Sequence, residues 1–228
     1  MILTENILRK NDIKPLDIDE VFTQVKGWSK YFVSNYGRLV HKNNKGRYTI
    51  VKPSIAKGGY LTYTLSKPAR TYRGEKVRTK DGTPKSKRFC TTAQQLVAIM
   101  YIDNTYPDNY RIEDLQIHHK DKNRTNNYYK NLMYLSTEHH GFIHTIRKIA
   151  VYNQNKGQYH TYRDIEVLAT RVQLDAWELL DTLKNTTRLF KDGKWNIYNI
   201  NGVFIGVEYM VEKKAENKNA DRNKHKRK

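Results

Sequence analysis

Two pairs of histidines constrain this chain more strongly than any other feature of its sequence. His118 and His119 are adjacent in LQIHHKD, a string that predicts a strand, and neighbouring side chains of a strand point to opposite sides. His140 and His144 are four positions apart in a predicted helix that runs on to Arg147, so their imidazoles project from one face. A helix that offers two imidazoles in this way supplies two nitrogen ligands to one metal ion. One strand histidine can complete that site while its neighbour stays available for another task.

This set of imidazoles matches the needs of phosphodiester hydrolysis. The attacking water must lose a proton, and an imidazole with a pKa near ~6.5 can accept it at physiological pH. A divalent cation can neutralise the phosphate and stabilise the leaving oxygen. Asn131 lies midway between the histidine pairs, where its amide can hydrogen-bond backbone across a loop and hold the segment of the base in place.

The charge balance indicates a polyanionic partner. Lys and Arg number 42 against 23 Asp and Glu, and the formal charge of +19 attracts nucleic acid. No basic amphipathic helix favours a membrane surface. The single cysteine, Cys90, excludes an internal disulfide and a cysteine-based zinc site, and no spanning segment or secretory signal is evident. The sequence therefore predicts a nucleic-acid partner, no membrane partner and a cytoplasmic location.

Local signals predict a chain of mixed helices and strands. WSKYFVSNYGRLVHK and GGYLTYTL alternate apolar and polar residues and predict strands, with a turn at Asn35-Tyr36-Gly37. Thr91 or Thr92 is the expected cap of a short buried helix, whose apolar residues are Leu96, Val97, Ile99 and Met100. Ser136 or Thr137 is the expected cap of the helix that carries His140.

The C-terminal third predicts a separate unit. VYNQNKGQYHTY indicates a hairpin, DIEVLATR and LDAWELLDTLKN indicate two short helices, and KDGKWNIYNI indicates a turn and a strand. The basic stretch from Ser66 to Arg88 is either solvated loop charge or an arm that contacts phosphates, and both interpretations stay open. The Lys-rich tail from Lys213 is expected to be disordered when free.

The segment from His118 to His144 resembles the HNH endonuclease motif, whose fold is the ββα-metal finger. The matching letters are His118-His119, Asn126-Asn127, Asn131-Leu132 and His140. The resemblance implies that His119 is the general base, that Asn131 belongs to the catalytic set, and that His118 and His140 bind metal. His144 matches an additional helical ligand found in bacterial toxin nucleases of this family.

The resemblance also bears on the identity of the metal. Phage homing members commonly have Asp in place of His118 and Asn in place of His140, and Mg²⁺ or Mn²⁺ is usual among them. Three neutral imidazoles favour a borderline transition ion such as Zn²⁺ or Ni²⁺. One divalent ion is therefore expected, with both classes open.

The flanking segments resemble modules of the same homing endonucleases. The string from Trp28 to Val40 and the later Gly58-Gly59-Tyr60-Leu61 are similar to the DNA-binding motif that precedes the nuclease in those enzymes. The C-terminal unit resembles their small helix-turn-helix repeat more loosely. Three residues are expected to contact DNA: Arg38 in the first string, and Lys120 and Arg124 after the histidine pair.

These interpretations combine into an elongated α+β monomer with a ββα-metal nuclease core, an N-terminal β-rich module and a C-terminal helical module. Its expected partner is double-stranded DNA, and its expected location is the host cytoplasm if a phage encodes it. The expected divisions are a polar leader (1–23), an N-terminal DNA-binding module (24–66), a basic hairpin or loop (67–90), the nuclease (91–148), a helix-turn-helix-like module (149–210) and a basic tail (211–228). The expected activity is metal-dependent, site-specific cleavage of double-stranded DNA by a phage-type homing endonuclease, as a nick or a double-strand break.

Three alternatives remain open from the sequence. The four histidines can hold a structural zinc, in which case the chain is a DNA-binding protein without activity. The chain can also be a nonspecific nuclease, or its histidines can be scattered on a basic surface. Among neighbouring residues, His139 is expected on an exposed helix face, Asp121 and Asn123 as turn formers, and the remaining histidines on the surface: His41, His160 and His225.

Overall fold

The computed structural model describes residues 1–70, 75–107 and 110–210, which fall into two compact units. The first unit is Met1–Tyr134, and the second begins at Leu135. The predicted basic tail with His225, and residues 71–74 of the predicted basic loop, lie outside the described residues.

A four-stranded antiparallel sheet opens the first unit. Its order is β1-β2-β3-β4, and its strands are β1 (Phe22–Gln24), β2 (Tyr31–Ser34), β3 (Leu39–Lys42) and β4 (Tyr48–Val51). The helix α1 (Glu5–Lys10) precedes it and buries Leu8 against Phe22 and Phe32 of the sheet. Because alternate side chains of a strand share a face, both faces of this sheet are buried: Phe32 and Val40 pack on the side of α1, and Val33 and Leu39 belong to a second hydrophobic cluster.

The turn between β2 and β3, residues 34–38, is called the glycine turn below. Gly37 has φ +84°, a backbone conformation that glycine adopts without the steric cost of a Cβ. Its N–H donates to the carbonyl of Ser34 at 2.9 Å, and the Ser34 hydroxyl accepts from the N–H of Arg38 at 3.0 Å. The turn predicted at Asn35-Tyr36-Gly37 is therefore confirmed.

A second sheet of the first unit leads into a buried helix. Its order is β5-β6-β7, formed by β5 (Ser54–Ile55), β6 (Leu61–Pro68) and β7 (Ser86–Thr92), and α2 (Ala93–Tyr101) follows directly. Thr92 caps α2 in a reciprocal capping box with Gln95, which satisfies two backbone N–H groups at the helix start. Leu96 and Val97 are buried as predicted, whereas Ile99 is 64% exposed.

The histidine segment has the predicted order of strand, loop, strand and helix. Strand β8 (Gln116–His119) forms a two-stranded sheet with β9 (Leu132–Leu135), and α3 (Thr137–Ile143) comes next along the chain. The residues between the two strands, 120–131, are called the asparagine loop below. The prediction that the helix continues to Arg147 is wrong, because β10 (Ile146–Asn153) begins there and its β-branched residues favour a strand.

The second unit is built on a five-stranded antiparallel sheet. Its order is β11-β10-β14-β13-β12, with β10 joined by β11 (Gln158–Tyr162), β12 (Phe190–Asp192), β13 (Trp195–Ile200) and β14 (Val203–Tyr209). The helices α4 (Ile165–Arg171) and α5 (Ala176–Asn185) lie between the two hairpins in the chain, where the sequence predicts them. The expectation of a mainly helical module is nevertheless wrong, because β14 fills the centre of a sheet and buries Ile205 and Val207.

The described chain thus combines several antiparallel sheets with short helices, which confirms the mixed class predicted from the sequence. Within residues 1–70, 75–107 and 110–210, no helix combines the length and the apolar content that crossing a membrane requires.

Candidate active site

Strand β8 places two buried histidines next to each other. His118 is 4% exposed and His119 is 6% exposed, although both stand at the end of a short strand beside a polar loop. Buried histidines need polar partners, because an unsatisfied polar group away from water costs free energy. The surroundings of His119 show such a partner.

Asn127 of the asparagine loop contacts the ring of His119. The Asn127 Oδ1 atom lies 3.3 Å from His119 Nε2, and Asn127 is itself buried. The orientation of the amide is fixed, because its Nδ2 donates to the carbonyl of Thr125 at 3.1 Å. The amide oxygen therefore faces His119 and selects the tautomer in which Nε2 carries the hydrogen. In that tautomer the lone pair available for a proton is on Nδ1.

Burial lowers the pKa of His119 below its usual range, and Arg124 contributes in the same direction while Asn127 and Asp121 oppose it. Tyr60 adds an aromatic neighbour, with its ring centroid 6.1 Å from that of His119. Arg124 in turn lies over the Tyr60 ring at 5.1 Å and donates to the carbonyl of Gly58 at 2.7 Å. The imidazole of His119 is thus neutral at physiological pH and enclosed by residues from two parts of the first unit.

Asn131 ties the two ends of the asparagine loop together. Its Nδ2 donates to Asp121 Oδ1 at 2.9 Å and to the carbonyl of Asn126 at 2.8 Å, and its Oδ1 accepts from the N–H of Asp121 at 3.1 Å. Its backbone carbonyl accepts from the N–H of Lys120 at 2.9 Å. Asn131 therefore makes the contacts across the loop that its midway position predicts, and it touches the residue that follows His119.

Asp121 and Asn123 are the turn formers predicted from the sequence. Asp121 Oδ1 accepts from the N–H of Asn123 at 2.8 Å, and Asn123 Oδ1 accepts from the N–H of Thr125 at 3.1 Å. Burial by itself raises the pKa of Asp121, but hydrogen bonds from Asn126, Asn123 and Asn131 outweigh it and hold the pKa below the usual range. A charged Asp121 is consistent with a carboxylate that organises the loop.

The second histidine pair lies in the second unit, with His140 in helix α3 and His144 at the C-cap of that helix. The ring centroids of His140 and His144 lie 4.7 Å apart with the rings nearly perpendicular, so the predicted common face is confirmed. Ser136 caps the helix by accepting from the N–H of His139 at 3.1 Å, which confirms the predicted N-cap. Burial lowers the pKa of His140, and His144 adds to that lowering. A neutral imidazole is the form that binds a metal ion.

The donor set suits a divalent metal ion. His118 of the first unit and His140 and His144 of the second each offer one ring nitrogen, and these are the three ligands that the resemblance assigns to the ion. Three imidazoles without a carboxylate are ligands that borderline transition ions accept readily. The residues present therefore fit the implied cofactor by donor chemistry.

The other histidines differ from the sequence predictions in one case. His139 is only 2% exposed, with its Nε2 atom 3.5 Å from Asp181 Oδ1 of α5, so the predicted exposed position is wrong. The helical face about 100° from His140 turns inward because α5 packs against α3 within the second unit. His160 is exposed as expected, and His41 is partly buried against the ring of Tyr31.

The three residues expected to contact DNA have different surroundings. Arg124 is exposed beside Tyr60, and Lys120 donates through Nζ to the carbonyl of Lys130 at 2.8 Å. The guanidinium of Arg38 instead forms a two-point ion pair with Glu20, at 2.9 Å and 2.5 Å. Because the Glu20 side chain is fully buried, this internal pairing is the role that the structure shows for Arg38.

Comparison with known families matches two parts of the chain. The HNH endonuclease model matches residues 107–142, and the NUMOD4 motif matches residues 20–66. The chain carries an HNH endonuclease motif behind a NUMOD4 motif. The resemblance proposed from the sequence and the enzyme class, endonuclease, are thereby confirmed. His144 lies just beyond the matched HNH segment.

A solved structure of DNA binding and cleavage by the HNH homing endonuclease I-HmuI aligns with a TM-score of 0.35 at 21% identity, covering 83% of this chain and 98% of that chain. No curated protein matches the chain.

Three residues of this region carry contacts to which the sequence assigned no role. Asn127 was visible only as part of the Asn126-Asn127 pair, and Tyr60 only as part of a string in the N-terminal module. Asp19 falls in the predicted polar leader, yet its carboxylate accepts from the hydroxyls of Tyr36 at 2.6 Å and Tyr128 at 2.9 Å.

Asp19 provides a prediction about pH. The hydrogen bond from Tyr36, followed by that from Tyr128, lowers the pKa of Asp19 below its ordinary value of 3.8. The stabilisation is therefore fully present above pH 3.8 and is lost as the pH falls through the lower folded-state pKa. We expect Asp19→Asn to melt at a lower temperature than the wild type near neutral pH, and the difference to vanish in acid. Thermal melts followed by circular dichroism, from neutral pH to below pH 3.8, measure this difference in melting temperature.

The matched control for that prediction removes the donors instead of the acceptor. In the double variant Tyr36→Phe/Tyr128→Phe, the Asp19→Asn substitution should change the melting temperature by the same amount at every pH. A wild-type difference that persists unchanged in acid contradicts the assignment.

Proposed function

We propose that the chain is a metal-dependent, phage-type homing endonuclease that hydrolyses a phosphodiester bond of double-stranded DNA with His119 as general base. The observation that carries the proposal is the fixed imidazole of His119 within the matched HNH segment. Asn127 Oδ1 accepts from the Nε2–H of His119, and Asn131 hydrogen-bonds across the loop that carries Asn127. The lone pair of His119 Nδ1 therefore points in one fixed direction. A base held in one orientation avoids the entropic cost of positioning it during the reaction.

The chemistry of this chain's own residues is a proton transfer. Nδ1 of His119 accepts a proton from the attacking water, whose oxygen forms the new bond to phosphorus while the bond to the leaving 3′ oxygen breaks. His118, His140 and His144 are the residues that would hold the divalent ion. When bound, the ion supplies positive charge for the phosphate and for the leaving oxygen. Mg²⁺, Mn²⁺, Zn²⁺ and Ni²⁺ are all admissible, and the imidazole set favours the last two.

Binding of DNA rests on the positive charge of the chain. Its +19 formal charge favours a polyanion, and Arg124 places a guanidinium beside Tyr60, close to His119. We assign Arg124 and Lys120 to phosphate contacts that position the duplex. The second unit, with α4 and α5, is assigned to reading the DNA. One site of this kind in a cytoplasmic monomer cuts one strand per encounter.

The test measures the conversion of a supercoiled plasmid to open-circle and linear DNA. The plasmid carries the cognate site, which is first isolated from a library of genomic fragments. With a divalent ion present, we expect open circles to form first, and a chelator added beforehand should prevent them. Linear product without an open-circle intermediate contradicts the single-strand cut.

The same assay separates the alternatives. If chelation unfolds the protein and no metal supports cleavage, the chain is a DNA-binding protein with a structural metal. If cleavage shows no preferred position and falls steeply with salt, the chain is a nonspecific nuclease.

A further inference from the structure

The N-terminal module and the asparagine loop meet at one close contact within the first unit. A Cβ built on Gly37 would lie 2.6 Å from the Cβ of Asn127, a separation at which one of the two backbones must shift. Glycine at this position therefore allows the glycine turn to approach Asn127 directly. Asn127 is the residue whose amide oxygen contacts the ring of His119.

Neighbouring residues extend this contact on both sides. The rings of Tyr36 and Tyr128 stack with centroids 4.4 Å apart, and the Asp19 carboxylate accepts from both hydroxyls. The backbone is joined as well, because the N–H of Tyr129 donates to the carbonyl of Asn35 at 2.8 Å. Three consecutive residues of the asparagine loop, 127–129, are thus held by three consecutive residues of the glycine turn.

The glycine turn is itself anchored to the rest of the module. Asn35 Oδ1 accepts from the N–H of Val21 at 2.9 Å, and its Nδ2 donates to the carbonyl of Asp19 at 3.0 Å. The buried hydroxyl of Tyr63 donates to the carbonyl of Gly37 at 3.0 Å. A turn fixed at both ends can act as a support for the loop that it contacts.

We propose that the glycine turn of the NUMOD4 motif is a positioning element for catalysis, which holds Asn127 and through it the general base His119. This inference rests on the proposed role of His119. It assigns to Gly37 and Tyr36 a function in the rate of cleavage that is separate from DNA binding. The N-terminal motif then acts on the chemical step as well as on the DNA.

Gly46 supplies a matched control for Gly37. Both glycines have φ above +80°, so alanine strains the backbone at either position, but a Cβ on Gly46 meets nothing within 4 Å. We expect Gly37→Ala to lower the single-turnover rate constant at saturating DNA by about 10²-fold, the loss that a misplacement of ~1 Å can cause. Gly46→Ala should leave that rate constant unchanged, and the dissociation constant for DNA, measured with metal chelated, should be unchanged in both.

Tyr36 keeps the inference testable if Gly37→Ala does not fold. Tyr36→Phe retains the stacked ring on Tyr128, whereas Tyr36→Ala removes it, so phenylalanine should rescue most of the cleavage rate that alanine loses. A matched stack within the second unit, Tyr152 on Tyr159 at 4.7 Å, provides Tyr152→Ala as a control for the loss of a tyrosine pair. The side-chain amide signal of Asn127 in nuclear magnetic resonance spectra should move in Tyr36→Ala and not in Tyr152→Ala.

The outcomes separate this inference from the proposed function. Wild-type cleavage rates in Gly37→Ala and Tyr36→Ala, or weaker DNA binding with an unchanged rate at saturation, overturn the positioning role. His119→Ala is measured in parallel. Loss of activity in His119→Ala beside normal rates in the turn variants rejects the positioning role alone, and full activity in His119→Ala rejects the proposed base.

Discussion

Cleavage of DNA by the His119→Ala variant is expected to be about 10²–10⁴ times slower than by the wild type, the contribution of a positioned general base. The reason is that Nδ1 of His119 carries the lone pair that can accept a proton once Nε2–H donates to Asn127 Oδ1. Alanine removes the proton acceptor without altering the charge of the protein, because the imidazole that it replaces is neutral. The measurement is the single-turnover rate constant at saturating DNA and saturating metal, which separates chemistry from binding.

His160 is the matched control for this substitution. It is an exposed histidine of β11 in the second unit, so His160→Ala removes the same side chain without a buried contact. His119→Ala also leaves the buried oxygen of Asn127 unpaired, which costs about 1–3 kcal/mol of stability. Melting temperatures of both variants therefore accompany the rates. A folded His119→Ala protein that cleaves at the rate of His160→Ala removes His119 as the base.

Local periodicity and capping were sufficient to predict the parts of the site that depend on nearby residues. His140 and His144 share a face because four positions make about one helical turn, and Ser136 caps α3 because its hydroxyl accepts from the backbone N–H of His139. The glycine turn was equally predictable, since Gly37 needs a positive φ that few other residues adopt. Each of these is decided within a few residues of the chain.

The contacts that the sequence did not reveal join residues far apart in the chain. Asp19 meets Tyr128, and Arg38 pairs with the buried Glu20 although its place in the motif indicated a phosphate contact. An arginine is equally suited to a carboxylate and to a phosphate, so its residue type does not distinguish these partners. Burial decides between them, and burial depends on the tertiary fold.

The second unit shows the same limit at the level of secondary structure. Helices α4 and α5 follow strong local signals, with Asp164 and Asp175 at their N-caps. Strand β14, in contrast, is central only because β10 and β13 pair with it from both sides. The predicted helical extension to Arg147 failed for a related reason, since β10 gains sheet partners that a helix at that position lacks.

Removal of one imidazole from α3 is expected to weaken metal binding more than any substitution outside the histidine set. Loss of the hydrogen-bond partner of a metal ligand already lowers metal affinity about 10–100-fold. Because His140→Ala removes a ligand itself, it should lower the affinity by more than that. His144→Ala should behave in the same way. Isothermal titration with Zn²⁺ and with Mn²⁺ measures the affinity, and cleavage assays over a range of metal concentrations measure the consequence.

The response to excess metal makes this second prediction decisive. If His140 and His144 act only by holding the ion, saturating metal should restore part of the cleavage by His140→Ala. No metal concentration should restore cleavage by His119→Ala, because that variant lacks the proton acceptor. His139→Gln is the neighbouring control, since His139 is buried beside Asp181 and is not among the proposed ligands. Unchanged affinity in His140→Ala and His144→Ala would remove α3 from the metal site. Equal losses in all three variants would mean that α3 needs its histidines for packing, because a ligand role predicts that only two of the three matter.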